Sequence, residues 1–415
     1  MKKMIVLLTG ALILASCDNS EGAKRASEES ARYEIPLTAQ SVKVNEQTQQ
    51  FSFNFLRAYS NAANVENYCI SPLSASLCLG MVLNGASGNT YTEMQKVLGY
   101  EGFSNADINE YAKALQTELP KLDNFATFTN ANSIWLRNDF NVLSSFVDVN
   151  KENYDAEVKS VPFNTETVNK INEWCSNKTN KKIPSIIDKM NSDLRVCLIN
   201  AIYFKAPWKD KFETSATKDR PFYKADGTSE NVPTMYLNKN VASYTDEEVT
   251  IAELPYGNGA FDMVFFMPTN SSKTSLEKLI SGLDATKWNN WLSQLSGAET
   301  KLTVPSFEMT SSGMDLIQTF RTLGMNDAFD GASANFSKMS DESLFINILL
   351  QKTYIKVNEE GTEAAAVTFS GMTATAYGPS EEPRIIYFNH PFGFVLRETS
   401  TGAILFAGKC GNPKK

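Results

Sequence analysis

Residues Lys356–Pro383 read KVNEEGTEAAAVTFSGMTATAYGPSEEP. From Gly361 to Gly378 the only charge is Glu363, and there is no proline. A strand turns alternate side chains to opposite faces. With that period, one face of the stretch is Thr362, Ala364, Ala366, Thr368, Ser370, Met372 and Ala374. The other is Glu363, Ala365, Val367, Phe369, Gly371, Thr373 and Thr375. The first face is nearly all small and suits sliding over a packed core; the second suits solvent or a covering helix. Without proline, every backbone N–H can join a ladder. The same residues also fit a surface helix or an ordinary loop. Glu363–Ala366 favour helix, whereas Gly361 and the β-branched residues beyond oppose a long one.

Flanking motifs separate these readings. Asn358–Thr368 (NEEGTEAAAVT) resembles the hinge of the serpin family, and Phe388–Phe392 (FNHPF) resembles that family's signature. The similarity covers residues 46 to 413. Ser71-Pro72-Leu73-Ser74 is similar to the start of the family's shutter helix. Asn200–Trp208 (NAIYFKAPW) is similar to the strand entering the breach, where Trp208 packs. Leu405–Gly408 with Asn412-Pro413 is similar to the C-terminal strand. There are two departures. Gln351 stands where many serpins carry a shutter histidine, so any pH sensitivity from that position is lost. Gly393 follows Phe392 where the signature prefers an apolar side chain.

The resemblance implies an α+β serpin fold, with three β-sheets, about eight or nine helices and an exposed reactive-centre loop near residues 359–384. It implies a hinge at Glu359, Glu360, Gly361, Thr362, Glu363, Ala364, Ala365, Ala366 and Thr368, and a shutter and breach built on Ser71, Pro72, Ser74, Asn200, Trp208 and Gln351. It also implies a monomeric suicide inhibitor, without cofactor or metal, that traps serine proteases and extends to papain-like cysteine proteases. The scissile residue of the family lies fourteen past the hinge glycine, which here is Thr375, giving Thr375–Ala376. Counted back from Pro391 the family spacing lands nearer Ser380, so Ala376–Tyr377 and Tyr377–Gly378 are alternatives. Thr or Ala in the primary pocket suits elastase-like or subtilisin-like enzymes; Tyr377 suits chymotrypsin-like ones. Arg384 lies too far downstream for a trypsin-like target.

Composition agrees with a soluble globular body: 42% hydrophobic, 21% charged, net charge −8, which argues against nucleic acid as a partner. Met1–Cys17 has a basic start (Lys2, Lys3) and an apolar run (Ile5–Leu14) too short to span a membrane. Leu14-Ala15-Ser16-Cys17 resembles a bacterial lipoprotein box. It implies cleavage after residue 16, a lipid on Cys17, and a place on the cell envelope, at the outer membrane; an ordinary cleaved signal peptide is the alternative. Residues 17–45 read as lipidated Cys and flexible tether, polar and poor in aromatics, and 46–415 as one folded domain. Cys69, Cys78, Cys175, Cys197 and Cys410 are an odd set with no CxxC pair, so no disulfide framework is implied.

Along the chain, spacing predicts a helix over Glu46–Tyr59 and a second started by Ser71 as N-cap and Pro72. Thr90–Glu93 fits a capping box, and Ser312–Gly324 reads as helix. Strands are expected at Ala126–Leu136, near Val158–Phe163, and at Leu194–Phe204, whose near-continuous apolar run suits burial on both faces. Ile251–Leu254 and Phe261–Met267 flank a hairpin turn. Leu349–Val357 is extended, and Ile385–Phe388, Phe392–Leu396 and Ala403–Ala407 read as core strands.

Enzyme chemistry finds little support. The one histidine, His390, sits within FNHPF and reads as structural. No Gly-x-Ser-x-Gly elbow occurs, and Ser215–Lys218 and Ser275–Lys278 match Ser-x-x-Lys without the partner Lys-Thr-Gly. No His, Cys and carboxylate cluster has metal-ligand spacing. Two other readings are a non-inhibitory serpin serving as a surface binding protein, and an unrelated lipid-anchored enzyme or solute-binding lipoprotein.

Overall fold

The computed structural model describes residues 33–414, apart from 64, 191–193, 312–313, 347 and 364–381. Helix α1 (Ala39–Ala62) opens with the Thr38 side chain accepting from the Ser41 N–H. It starts inside the stretch that composition assigned to the tether, and Ile35 before it is already buried. The polar residues that suggested a tether point inward here. Ser41 and Asn45 are buried, and Asn45 donates to the carbonyl of Thr401 at 2.7 Å.

Strand β1 (Asn67–Ile70) leads into α2 (Pro72–Leu83), with Ser71 as N-cap and proline in the first turn. All twelve residues of α2 are buried, the mark of a central helix. Helix α3 (Gly88–Leu98) corrects the expected capping box: it begins before Thr90, which is buried and accepts from the Asn335 N–H. Glu93 instead accepts from the N–H groups of Asn326 and Asp327. A true box, Ser104 with Asp107, opens α4 (Asn105–Glu118).

The next elements are β2 (Thr127–Arg137), α5 (Ser144–Tyr154), β3 (Glu157–Val161), α6 (Thr165–Lys178) and β4 (Val196–Pro207). They are followed by β5 (Lys218–Tyr223), β6 (Ser229–Thr245), β7 (Val249–Pro255), β8 (Phe261–Pro268), α7 (Leu276–Ser281), α8 (Ala285–Ser293) and β9 (Ser296–Pro305). Then come β10 (Phe307–Thr310), β11 (Met314–Asp315) and α9 (Ile317–Leu323), which takes only the second half of the helix expected over Ser312–Gly324. The chain ends with β12 (Leu350–Gln351), β13 (Tyr354–Asn358), β14 (Gly361–Thr362), β15 (Arg384–Tyr387), β16 (Phe392–Glu398) and β17 (Ile404–Cys410).

Among the described residues these strands form three sheets. A nine-stranded sheet runs β1-β17-β16-β8-β7-β6-β9-β15, with β5 also on β6. A six-stranded sheet runs β10-β13-β14-β4-β2-β3, and β11 pairs with β12. The α+β class and the expected strands at 126–136, 194–204, 251–254 and 261–267 are present. The main core holds Phe204, Ile202 and Ala206 from one face of β4. A smaller core holds Cys197, Ile199 and Ala201 from its other face, against Ile171, Trp174 and Cys175 of α6. Burial on both faces explains the unbroken apolar run of β4.

Gly393 also has a packing reason. A Cβ there would run into the ring of Phe266 on the paired strand β8. The apolar group that the signature prefers is thus supplied from the neighbouring strand. Gly393→Val should destabilise the protein by about 2 kcal/mol through overpacking, read as a lower midpoint in urea unfolding; an unchanged midpoint would contradict this packing.

Candidate functional site

The hinge sits at one end of the six-stranded sheet. Asn358 closes β13, and its side-chain oxygen accepts from the N–H groups of Glu360 (3.1 Å) and Gly361 (3.2 Å), which folds the chain back on itself. The two residues of β14 then pair on both sides: Thr362 with Val357 and Ala206, Gly361 with Asn358 and Pro207. Gly361 has φ +148°, and an added Cβ would overlap the Ala206 carbonyl and lie 2.7 Å from Pro207 Cα. Backbone, not a movable side chain, fills that space, so only glycine fits.

Around this seat the side chains converge. Trp208 is buried, stacks on Tyr256 with ring centroids 4.2 Å apart, and donates its indole N–H to the Asn358 carbonyl at 2.8 Å. Its backbone N–H donates to Glu360 O, and the N–H of Phe212 to Glu359 O. Thr362 is buried, with its hydroxyl 2.5 Å from that of Tyr256. Glu359 accepts from the Thr217 hydroxyl, and Glu360 pairs with Lys211 at 2.6 Å. Glu363 has φ +54° and an almost fully buried side chain, paired with Lys182 at 2.8 Å and accepting from the Tyr203 hydroxyl at 2.9 Å. Burial, with a smaller contribution from Glu363, pushes Tyr203 up to about 12, so it stays a donor.

The second constellation joins β4 and β2 of this sheet to the start of α2, to β12 and to β17. The Gln351 amide closes a two-way bond with buried Ser71: its oxygen accepts from the Ser71 N–H (2.8 Å) and its nitrogen donates to the Ser71 carbonyl (2.9 Å). Ser71 caps Ser74 and donates to the Leu405 carbonyl at 2.6 Å. Ser74 donates to Asn200, which donates in turn to Asn130 (2.6 Å) and Asn132 (2.7 Å). Gln351 thus holds its backbone partners without a titratable group.

The structure therefore brings Glu359, Glu360, Gly361, Thr362, Glu363 and Trp208 together, and Ser71, Pro72, Ser74, Asn200 and Gln351 in a second group. Ala364, Ala365, Ala366, Thr368, the candidate scissile residues Thr375, Ala376, Tyr377 and Gly378, and Cys17 lie outside the described residues. Sequence reasoning missed Tyr256, Lys182 and Lys211, and gave Asn358 and Tyr203 no role of their own within the family-like runs that contain them. Tyr256 read as part of a hairpin turn, and the two lysines carry no local signal.

The family model described as Serpin (serine protease inhibitor) matches residues 46–413. The chain belongs to the serpin family. Leukocyte elastase inhibitor of Sus scrofa is 34% identical over 376 residues, 88% of this chain and 98% of that protein. The crystal structure of tengpin, a thermophilic serpin, in its native state matches with TM-score 0.81 at 30% identity, covering 92% of this chain and 96% of that one. Thyroxine-binding globulin in complex with thyroxine matches at 0.79 and 25% identity, covering 89% and 99%.

Within this serpin, the ring of His390 stacks on Tyr223 and its Nδ1 lies 2.8 Å from the Asn389 side-chain oxygen. Burial lowers its pKa. The five described cysteines are free and buried, and burial pushes the thiols of Cys69, Cys78, Cys175 and Cys197 up to about 12, far from a thiolate nucleophile. Among the described residues no group of three or more His, Cys, Asp or Glu could hold a metal ion. Arg384 is tied by its guanidinium to Ser243 and Ser296 of β6 and β9, at 2.9–3.0 Å. It is a residue of β15 held against the two neighbouring strands.

Gln351→Ala leaves the buried Ser71 N–H without its partner, at roughly 1–3 kcal/mol, while the Ser71 carbonyl keeps the Ala75 N–H at 3.1 Å. The thermal midpoint of the intact serpin should fall by roughly 2–5 °C, measured by circular dichroism. An unchanged midpoint would show that the bond contributes nothing.

Proposed function

We propose that this serpin inhibits serine proteases as a suicide substrate, by inserting its cleaved loop between β13 and β4. The observation that carries the reading is β14, a two-residue strand already paired to both neighbours. Were the ladder to run on past Thr362 along the edge of β4, the two-residue period would give Ala364, Ala366 and Thr368 the face that Thr362 turns to the core. A target enzyme would attack the loop near Thr375 and form an acyl-enzyme with the new C-terminal residue. Insertion of Gly361–Thr375 would then add about a dozen ladder hydrogen bonds at roughly 1 kcal/mol each, besides buried surface. Trapping is a race between insertion and deacylation, a kinetic matter. Elastase-like, subtilisin-like and chymotrypsin-like enzymes fit the candidate scissile bonds, and weak discrimination by small side chains favours several targets. Papain-like enzymes form the same kind of acyl intermediate.

The test is one denaturing gel with neutrophil elastase, chymotrypsin, subtilisin and papain, with the mass of the released C-terminal fragment. The expected result is a stable high-mass band and a fragment starting at Ala376, Tyr377 or Gly378. Loop cleavage with no stable band would establish a substrate and turn the reading to a non-inhibitory binding protein. Thr362→Arg places a charge against buried Tyr256; it should be cleaved at the normal rate with at least tenfold less complex. A normal complex yield would remove the insertion mechanism.

We further propose that Cys17 carries a lipid that holds the inhibitor on a bacterial cell envelope. The support is the Leu14–Cys17 motif after a basic and apolar start. Cys17→Ser should move the protein from the detergent phase to the aqueous phase in a detergent partition; continued detergent partitioning would refute the anchor.

A further inference from the structure

Away from the hinge, β5 and the end of β15 bring a second set of polar groups together. Arg220 and Phe222 are two residues apart on β5 and so share a face. Arg220 pairs with Val232 of β6, and both Phe222 and Val232 are buried. The arginine therefore lies on the inward face of its strand. Its Nε is buried and makes no hydrogen bond among the described residues, and none of their carboxylates pairs with it. Buried donors without an acceptor are rare in folded proteins. An inward charge can guard an edge strand such as β5 against stray pairing. A solvated cation would meet that need, whereas here one nitrogen is shut away from water.

Arg220 lines a cavity of about 150 Å³, together with Tyr223 of β5, Thr303 of β9, Tyr387 of β15 and Asn389 just beyond it. The frame is fixed by backbone bonds. The Tyr223 N–H donates to the Asn389 carbonyl at 2.8 Å, and the Phe388 N–H to the Thr303 carbonyl at 2.9 Å. The hydroxyls of Tyr223, Thr303 and Tyr387 make no hydrogen bond among the described residues. The Asn389 side-chain oxygen is engaged by His390, which leaves its NH₂ group as a donor. Arg220 is the one charged residue of the lining, and no acid stands beside it there. The remaining walls are apolar, with Pro221 and Pro305 among them.

These groups specify a ligand by its chemistry. One guanidinium matches one negative charge, and its planar fork suits a carboxylate. Surrounding hydroxyl and amide donors favour an acceptor over a cation. The tyrosine rings and prolines suit a flat apolar body, and an apolar cavity of about 150 Å³ accommodates benzene. We propose that this cavity is a binding site for a small aromatic carboxylate, held by Arg220 and bounded by Tyr223 and Tyr387. The site is separate from the hinge, and its occupancy does not depend on loop insertion.

His390, the chain's one histidine, is a built-in reporter, because its ring stacks on Tyr223. The full-length protein, with isotope-labelled histidine, is titrated with sodium benzoate at constant pH and ionic strength. The His390 resonance should move saturably, with a Kd of about 1 mM or tighter. Benzyl alcohol has the ring without the charge, and inorganic sulfate the charge without the ring; each should bind at least tenfold more weakly. Arg220→Gln should weaken benzoate binding at least tenfold. Arg220→Lys keeps the charge without the fork and should weaken it at least threefold. Circular dichroism checks the fold of both variants, and the lysine variant carries the test if the glutamine variant does not fold. The absence of a saturable shift up to about 20 mM benzoate, or an unaltered Kd in Arg220→Lys, would overturn the proposal. Benzyl alcohol binding as tightly as benzoate would remove the role of the charge, and sulfate doing so would remove the aromatic class; either result also overturns it.

Discussion

The backbone of Gly361 presses against the carbonyl of Ala206 and the Cα of Pro207, and the organisation of the six-stranded sheet depends on that approach. It lets a two-residue strand lie between β13 and β4, with partners on both sides. The stack of Trp208 on Tyr256, the Asn358 turn and the buried Thr362 hydroxyl all assume a hinge at this depth. A side chain at position 361 would move the backbone away and loosen each of them. Glu363, the next residue after β14, adopts a positive φ that an extended strand does not use. Its buried pairing with Lys182 and Tyr203 holds that bend. Under the proposed mechanism, insertion would have to straighten Glu363 before any later residue could join the ladder.

Much of the architecture was legible in the residues themselves. The unbroken apolar run of β4, the proline-started α2 and the hairpin at Pro255–Gly259 all announced their elements through local chemistry. The errors have a common cause. The start of α1 read as tether because residues such as Ser41 and Asn45 are polar, yet they are buried and Asn45 is satisfied by a turn some 350 residues away. Thr90 and Glu93 looked like a local cap and instead serve the backbone of residues 326, 327 and 335. Long-range polar bonding leaves no periodic trace.

The site shows the same division. Glycine at 361 was marked by resemblance to the family hinge, and the structure supplies the reason: the backbone of β4 leaves no space for a Cβ there. Lys182, Lys211 and Tyr256 were not marked, since each is far from the hinge in sequence and ordinary in its own neighbourhood. Gln351 resembles Gly361 in this. Its place was marked by resemblance, but only the two-way bond with Ser71 shows how an amide serves there.

The pairing of β1 with β17 joins Ile70 to Ala407 and Asn67 to Cys410. That closure has a consequence for biosynthesis. At translation speeds of 5–20 residues per second, the partner of β1 appears roughly 20–70 s after β1 itself. Until then β1 lacks its partner, and the central helix α2 that follows it lacks one of the walls it packs against. The growing chain therefore cannot complete this sheet from the N-terminus onward, and its closure waits until the last strand has been made.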